Sequence, residues 1–515
     1  MSAAVHSSTS GVPLADAPAS GARGPEPDAR RSLAPIIGLW AGLGVFALTL
    51  VVPAPAGMAP EAWRAAGVGL LMACWWMTEA LPIPATALAP LALFPLAGVV
   101  DMRAAAAPYA NPIIFLFLGG FLLAKGLEKW NMHTRLALGV IAAVGTEPRR
   151  IVLGFMLAAG LLSMGISNTA TAVMMLPIAL SVVALAKRDD VGTEAEDRTF
   201  ALVLMLGVAY ACSIGGLGTL IGTPTNAFLA GFVSETYGVE VTFAGWMAVG
   251  IPMVVIGLTV IYFMLTRVIF PLRLPGIPGG RQFIRERQAA LGPISTPEVR
   301  VGLVFGTVAL LWMTRQLWQP LAPGATDAGL AMAGALALFA LPAGDRQRGE
   351  QLLDWETAKT LPWGILLLFG GGLSLASAIS ETGLAAWIGG SLSAFGALPL
   401  WALVGIVVAT IVMLTELTSN TATAAAFLPV LAALAVSVGA APTVLLVPAT
   451  VAASCAFMLP VATPANAIAY GSGHVSIGEM ARAGVWLNVT FAVLVTLFAV
   501  LVLPFLTGTA LPELP

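Results

Sequence analysis

Apolar stretches of membrane-spanning length recur along this 515-residue chain, separated by short polar or charged segments, from about residue 33 to residue 506. A helix needs about 20 apolar residues to cross the hydrocarbon core of a bilayer. The pattern therefore predicts about eleven transmembrane helices, at 34–53, 62–80, 84–100, 110–130, 199–232, 245–271, 298–316, 324–342, 360–381, 442–472 and 480–505. This is the pattern of an all-α polytopic membrane protein.

Two further apolar stretches, 151–187 and 396–437, are interrupted near their middle by the tripeptide Ser-Asn-Thr. A continuous helix with this polar centre would be a poor lipid-facing span. Exposed backbone at membrane depth must be covered by protein. We therefore expect each stretch to form a re-entrant helical hairpin whose tip carries the tripeptide.

The two interrupted stretches are near copies of each other. Ser163–Pro177 and Thr415–Pro429 share eight of fifteen aligned residues, including an unbroken SNTATA. A second pair, T-P-x-N-A, occurs at Thr223–Ala227 and Thr463–Ala467. Matched polar motifs in two halves of an apolar chain predict a transporter with one central site shared by the halves.

The distribution of positive charge gives the predicted orientation. With the N-terminus inside, 21 of the 24 Lys and Arg residues fall on the cytoplasmic side. This asymmetry holds only if both interrupted stretches turn back without crossing the membrane. The first hairpin then lies on the cytoplasmic side and the second on the outer side, so the two halves form an inverted repeat. The predicted organisation is a disordered cytoplasmic tail 1–32, a first transmembrane helix 33–61, a first repeat 62–271 with hairpin 151–187, a cytoplasmic linker 272–297, a second repeat 298–505 with hairpin 396–437, and a C-terminal tail 506–515.

Composition narrows the class of function. The chain is 58% hydrophobic and 10% charged, with a net charge of −2, which argues against a nucleic-acid partner. Its three Cys and three His residues are scattered, so they suggest neither a disulfide framework nor a metal cluster. The core offers no paired nucleophile and base. We therefore expect a transporter that uses no cofactor, rather than an enzyme; a channel is the less favoured alternative.

The paired motifs suit a site for both an anion and a cation. Helix N-termini at a hairpin tip favour an anion, while helix C-terminal carbonyls and Ser, Thr and Asn oxygens suit a hard cation such as Na⁺. Pro224 and Pro464 each break a helix and free backbone carbonyls near Gly222 and Ala462. No Lys or Arg is a candidate, so bound cations would balance the charge of a dianion, which favours symport. Glu416, beside the second tripeptide, has Met164 as its counterpart in the first half and so breaks the symmetry; tuning of a cation site and exposure to water are both open as its role.

The chain resembles the divalent anion:sodium symporter family, which includes the sodium–dicarboxylate cotransporters. The resemblance is carried by Trp75–Leu91, Asn111–Ala124, both SNTAT motifs, Gly222–Asn226, Leu368–Ala385 and Ala462–Asn466. It implies a multi-pass protein of the cell's inner (plasma) membrane that forms homodimers and moves a transport domain as an elevator.

The resemblance also implies the residues of the site. One Na⁺ would be bound by Ser163, Ser167, Asn168 and Gly222, and the other by Thr415, Ser419, Asn420 and Ala462. The substrate would be bound by Asn168, Thr169, Thr223, Asn420, Thr421, Thr463 and Pro464. Thr223 stands where some relatives have Ser, and its extra methyl group could narrow the pocket.

The function that follows is Na⁺-coupled symport of C4-dicarboxylates such as succinate, fumarate and malate across the membrane. A sodium-independent exchanger of di- or tricarboxylates with the same fold is the close alternative. Sulfate or citrate also stays open as the substrate, since hydroxyls and amides at helix ends distinguish these anions poorly.

Overall fold

The computed structural model of this protein describes residues 33–145, 147–186, 193–277, 279–344 and 349–508, together with Leu511 and Leu514. The predicted tail 1–32, the last residue of the first predicted hairpin and half of the predicted tail 506–515 lie outside the described residues.

The described part of the chain forms twenty-five α-helices. The first thirteen are α1 Ala34–Val51, α2 Pro60–Thr78, α3 Ile83–Thr86, α4 Ala89–Ala97, α5 Met102–Ala106, α6 Pro112–Lys129, α7 Met132–Val144, α8 Pro148–Ser163, α9 Asn168–Ala186, α10 Glu194–Gly215, α11 Pro224–Tyr237, α12 Phe243–Phe263 and α13 Gly280–Ala290. The others are α14 Thr296–Met313, α15 Arg315–Trp318, α16 Asp327–Ala340, α17 Trp355–Lys359, α18 Trp363–Glu381, α19 Leu384–Leu392, α20 Leu400–Thr415, α21 Asn420–Ser437, α22 Thr443–Ala453, α23 Pro464–Gly471, α24 Ile477–Leu501 and α25 Leu503–Leu506.

The predicted fold class is confirmed: the chain is an all-α protein with many apolar helices. Nine helical stretches within the described residues are long and apolar enough to cross a membrane. The stretches predicted at 199–232 and 442–472 each contain two helices, because the backbone leaves the helical path before Pro224 and Pro464. The stretch at 84–100 forms the short helices α3 and α4. Five helices were not predicted as elements: α5, α7, α17, α19 and α13, the last within the predicted linker 272–297.

Each interrupted stretch folds as two helices joined by four residues, 164–167 in the first and 416–419 in the second. Both helices of the first pair, α8 and α9, pack against α10, and both helices of the second pair, α20 and α21, pack against α22. The packing across the halves also matches, because α9 contacts α23 while α21 contacts α11. Each hairpin therefore lies beside the broken helix of its own half. It also contacts the second segment of the broken helix of the other half, α23 for the first hairpin and α11 for the second.

Helix α10 lies at the centre of this core, since all of its residues from Phe200 to Gly215 are buried. Glycines allow the close packing around it. A Cβ atom on Gly215 would overlap the backbone of Gly160 in α8. Two other glycines play the same part elsewhere, since a Cβ on Gly119 would overlap Ala331 and one on Gly371 would overlap Ala87. Small residues at helix crossings are the usual means of close packing in membrane proteins.

Ion pairs join helices where the chain leaves the apolar region. Lys129, at the end of α6, lies 2.6 Å from Asp354, the residue that caps α17. The hydrogen bond from Lys129 lowers the pKa of the Asp354 carboxyl to about 2. Arg135 of α7 pairs with Glu298 at the start of α14 at 2.8 Å. These contacts connect segments that are far apart in sequence.

We expect Gly215→Ala to destabilise the protein, because the added methyl group would meet backbone that cannot move aside. Overpacking of this kind costs about 1–3 kcal/mol. The matched control is Gly44→Ala, an exposed position in α1 where nothing lies within 4 Å of the new Cβ. Thermal unfolding of the purified protein, followed by tryptophan fluorescence, should show a lower Tm for Gly215→Ala and no loss for Gly44→Ala. Equal melting temperatures would contradict this account of the α8–α10 crossing.

Candidate functional site

A cavity of about 550 Å³ lies where the two hairpin tips meet the two broken helices. The tips contribute Ser-Asn-Thr from each half, and the breaks contribute the T-P motifs. The residues from these four segments are Ser167, Asn168, Thr169, Ile221, Gly222, Thr223, Pro224, Leu417, Thr418, Ser419, Asn420, Thr421, Val461, Ala462, Thr463 and Pro464. The predicted convergence of the four motifs on one shared space is thus present in the structure.

Four helices begin at this cavity. Helices α9 and α21 begin at Asn168 and Asn420, while α11 and α23 begin at Pro224 and Pro464, and all four residues line the space. A helix N-terminus carries partial positive charge and free N–H groups, and so favours an anion. Within the described lining, the one ionisable side chain is Glu79, and no Lys or Arg is present. Any attraction of an anion to this cavity would therefore come from backbone and neutral polar groups.

Behind the first tip, the C-terminal end of α8 lies close to the segment that follows α10. The Ser163 hydroxyl, on the last residue of α8, donates a hydrogen bond of 2.9 Å to Asn168 Oδ1. A Cβ on Gly222 would come within 2.9 Å of the Ser163 carbonyl oxygen and would overlap the carbonyl of Gly216. Hydroxyl, amide and carbonyl oxygens are thus gathered in one place, which is the donor set that a hard cation prefers.

The second tip repeats this geometry. The Thr415 hydroxyl, on the last residue of α20, lies 2.6 Å from Asn420 Oδ1 and 2.7 Å from the carbonyl oxygen of Ala453, where α22 ends. In both halves the asparagine Oδ1 therefore accepts from a buried hydroxyl. The Nδ2 groups of Asn168 and Asn420 have no hydrogen-bond partner among the described residues. They stay available to an acceptor such as a carboxylate.

The structure brings together the residues that the sequence predicted. All seven predicted substrate-binding residues line the cavity. Of the predicted cation ligands, Ser163 and Thr415 lie behind the lining, fully buried, and reach it through Asn168 and Asn420. Among the described residues no group of three or more His, Cys, Asp or Glu side chains could hold a metal ion. The binding roles themselves stay predictions.

Two residues with a clear part in the site were missed. The Asn226 Nδ2 group donates to the carbonyls of Gly216, Leu217 and Thr219 at 2.8–3.3 Å. In the other half, Asn466 Nδ2 donates to carbonyls ten and seven residues before it, both at 3.1 Å. Each asparagine donates to carbonyls that lose their helical partners where the helix breaks. Every buried backbone carbonyl requires such a hydrogen-bond partner. The signal was present in the repeated T-P-x-N motif, whose Asn was not assigned a role.

The opposite wall of the cavity comes from helices outside the hairpins and broken helices. Glu79, Pro84, Phe117, Gly364 and Leu368 lie on it, from α2, α3, α6 and α18. Glu79 has a left-handed backbone conformation, with φ of 49°. It ends α2 and also lines the cavity. Most of these residues lie in the segments that carry the family resemblance, Trp75–Leu91, Asn111–Ala124 and Leu368–Ala385, but those segments are far apart in the sequence and were assigned no place in the site.

Comparison with known proteins gives consistent matches. A family model described as the sodium:sulfate symporter transmembrane region matches residues 34–507. The chain is 42% identical over 480 residues to the sodium-dependent dicarboxylate transporter SdcS of Staphylococcus saprophyticus, and the alignment covers 92% of each chain. The protein of the same name from Staphylococcus aureus strain USA300 is 42% identical over 479 residues, again with 92% of each chain covered.

Two solved structures share the fold. The YdaH transporter of Alcanivorax borkumensis superposes with a TM-score of 0.55 at 14% identity, covering 93% of this chain and 100% of that one. MtrF of Neisseria gonorrhoeae gives a TM-score of 0.55 at 14% identity, covering 93% and 96%. At this identity the likeness concerns the fold alone.

We expect Asn226→Asp to destabilise the protein, because an oxygen would replace the amide that three buried carbonyls share. Leaving a buried acceptor unpaired costs about 1–3 kcal/mol. The matched control is Asn131→Asp, an exposed residue whose side chain does not cap its helix. Thermal unfolding should show a Tm several degrees lower for Asn226→Asp alone. A wild-type Tm would remove Asn226 from this role.

Proposed function

This chain belongs to the sodium:sulfate symporter family, and we propose that it is a Na⁺-coupled symporter of C4-dicarboxylates such as succinate, fumarate and malate. The family is one of membrane transporters, so the chain is a transporter and not an enzyme. The observation that carries the proposal is the cavity at which four helices begin and which no Lys or Arg lines within the described residues.

The coupling follows from the charge balance of that cavity. A dicarboxylate brings two negative charges, and partial charges at helix ends offset only part of them. Two Na⁺ ions bound behind the tips would supply the rest. The dianion then binds well only when the cations are in place, which is a positive coupling free energy between the sites. Na⁺ is thus the proposed coupling ion, carried together with the substrate.

The proposed ligands follow from the contacts of each half. Ser163, Ser167, Asn168 and Gly222 would bind one Na⁺, and Thr415, Ser419, Asn420 and Ala462 would bind the other. The hydroxyl contacts to Oδ1 support this assignment, because they turn each asparagine oxygen away from the substrate. The substrate carboxylates would then meet both Nδ2 groups, the hydroxyls of Thr169, Thr223, Thr421 and Thr463, and the start of α23 at Pro464.

The movement that exposes the site would displace one wall of the cavity relative to the other. The hairpins and broken helices pack on one another and form one wall, while α2, α3, α6 and α18 form the other. We propose that the first group moves past the second as an elevator, in a homodimer of the cell's inner (plasma) membrane with the N-terminus in the cytoplasm. These details rest on the family resemblance and on the predicted charge asymmetry.

Sulfate is the second candidate substrate, because the family model's description includes it. A sulfate ion is compact, whereas the cavity of about 550 Å³ extends across both tips. Two tips that each present an amide and hydroxyls fit the two separated carboxylates of a C4 acid better than they fit one small anion.

The test is uptake of radiolabelled succinate into proteoliposomes, with an inward Na⁺ gradient and with K⁺ as the control. We expect accumulation driven by Na⁺ and competed by fumarate and malate. Uptake that ignores Na⁺ but requires internal dicarboxylate would mean an exchanger. If succinate is not transported under either condition, the proposal is wrong, and labelled sulfate or citrate would be measured next.

We expect Ser163→Ala to weaken the Na⁺ dependence of uptake, since it removes both a hydroxyl ligand and the hydrogen bond that orients Asn168. The Na⁺ concentration for half-maximal uptake should rise at least threefold. At saturating Na⁺, half-saturation by succinate should stay within twofold of the wild type. Ser391→Ala, an exposed position whose hydroxyl donates to the Trp387 carbonyl, is the matched control. An unchanged Na⁺ response would exclude Ser163 from the cation site.

A further inference from the structure

Glu416 is a buried carboxylate at the second hairpin tip, and the four groups it contacts are N–H donors. Its oxygens accept from the backbone N–H groups of Phe457, Met458 and Leu459 at 2.6–3.1 Å. The Asn488 Nδ2 group of α24 donates to Oε1 at 2.7 Å. The side chain is only 3% exposed, and no salt bridge within the described residues includes it. An ionisable residue at such a place in a membrane protein suggests a functional role.

The matching place in the first half carries no charge. There the residue is Met164, and its carbonyl oxygen accepts a hydrogen bond from the Thr219 hydroxyl. The backbone at 216–218 forms a 3₁₀ turn, which supplies its own hydrogen bonds. In the second half Leu459 stands in place of Thr219, and segment 455–457 has no regular structure. In the first half the polar side chain of this contact, Thr219, therefore belongs to the broken helix. In the second half it is the carboxylate of Glu416, which belongs to the hairpin.

The segment that Glu416 holds is the one that leads to the second proposed cation site. Leu459, whose N–H contacts Glu416, accepts through its carbonyl from the N–H of Ala462 and from Asn466 Nδ2. Thr415, the neighbour of Glu416 in sequence, contacts Asn420 Oδ1. The carboxylate thus joins the tip and the break that would provide the ligands of this site.

Segment 457–459 also makes contacts with α10 and α24. The Tyr210 hydroxyl of α10 donates to the Phe457 carbonyl at 2.7 Å. Gly484 of α24 allows close packing, because a Cβ there would overlap the backbone of Met458. The position of this segment is therefore determined by several contacts, and Glu416 makes the only ionic one among the described residues.

We propose that Glu416 positions the second cation site and gives it a fixed negative charge that the first site lacks, so that the two Na⁺ ions bind with unequal affinity. The inference rests on the proposed function, since it concerns the same pair of cation sites. The second site, with the carboxylate beside it, binds Na⁺ more tightly. The first site then sets the Na⁺ concentration needed for half-maximal transport, because both sites must be filled.

The test measures succinate uptake against Na⁺ concentration in two variants that make the sites more alike. Glu416→Gln weakens the tighter site, so half-saturating Na⁺ should rise at least twofold. Met164→Glu strengthens the weaker site, so half-saturating Na⁺ should fall at least twofold. Both curves should be steeper than the wild-type curve. Met164→Gln, of the same size without the charge, is the matched control and should keep the wild-type half-saturation.

The outcomes separate this inference from the proposed function. If wild-type uptake does not depend on Na⁺, the proposed function fails. If wild-type uptake depends on Na⁺ but Met164→Glu behaves like Met164→Gln, the inference is overturned. A purely structural role for Glu416 would lower the maximal rate or the yield without these opposite shifts. Should Glu416→Gln fail to fold, the Met164 pair still decides.

Amide hydrogen exchange on the wild-type protein tests the positioning role without any substitution. The amides of residues 457–459 should exchange slowly even without Na⁺, because Glu416 accepts hydrogen bonds from all three. Exchange at the rate of an open loop would contradict the positioning role.

Discussion

The structure depends on one constraint: the backbone groups freed where helices stop inside the protein must find partners there. Four such interruptions surround the cavity within the described residues, at 164–167, 216–223, 416–419 and 454–463. Asn226 and Asn466 satisfy the carbonyls of the two broken helices, while Glu416 satisfies three N–H groups of the second one. In a membrane protein such groups have no water to bond with, so each unsatisfied one costs several kcal/mol, on the order of the whole stability of a small domain. The motifs that break the helices are therefore accompanied by side chains that stabilise the breaks.

The same interruptions create the chemistry of the cavity. Where a helix begins, free N–H groups and partial positive charge face the space, and where the preceding helix ends, carbonyl oxygens lie behind it. Asn168 and Asn420 stand between the two, with Oδ1 toward a buried hydroxyl and Nδ2 without a hydrogen-bond partner in the part of the chain that the structure describes. A site made of partial charges alone binds an anion weakly. Bound cations strengthen it, and this is the physical basis of the proposed coupling.

The two halves are similar in backbone path but not in charge. Thr219 and Met164 in the first half correspond to Leu459 and Glu416 in the second, so a neutral contact is exchanged for an ionic one. A carboxylate can replace the hydrogen bonds of a helical turn because its two oxygens accept from several donors at once. Such a difference allows two sites with the same ligand types to bind the same ion with different affinity.

The sequence by itself determined the fold class and the four motifs that line the cavity, because apolar length reports membrane spans and repeated polar motifs report matched positions. It indicated both hairpins, both helix breaks and the cavity residues from Asn168 to Pro464. Only the tertiary structure decided which carbonyls Asn226 and Asn466 hold, that Glu79 faces the cavity, and that Glu416 bonds to residues about forty positions away. These contacts join segments distant in the chain, and they depend on how helices pack. A single sequence carries no local pattern that encodes such packing.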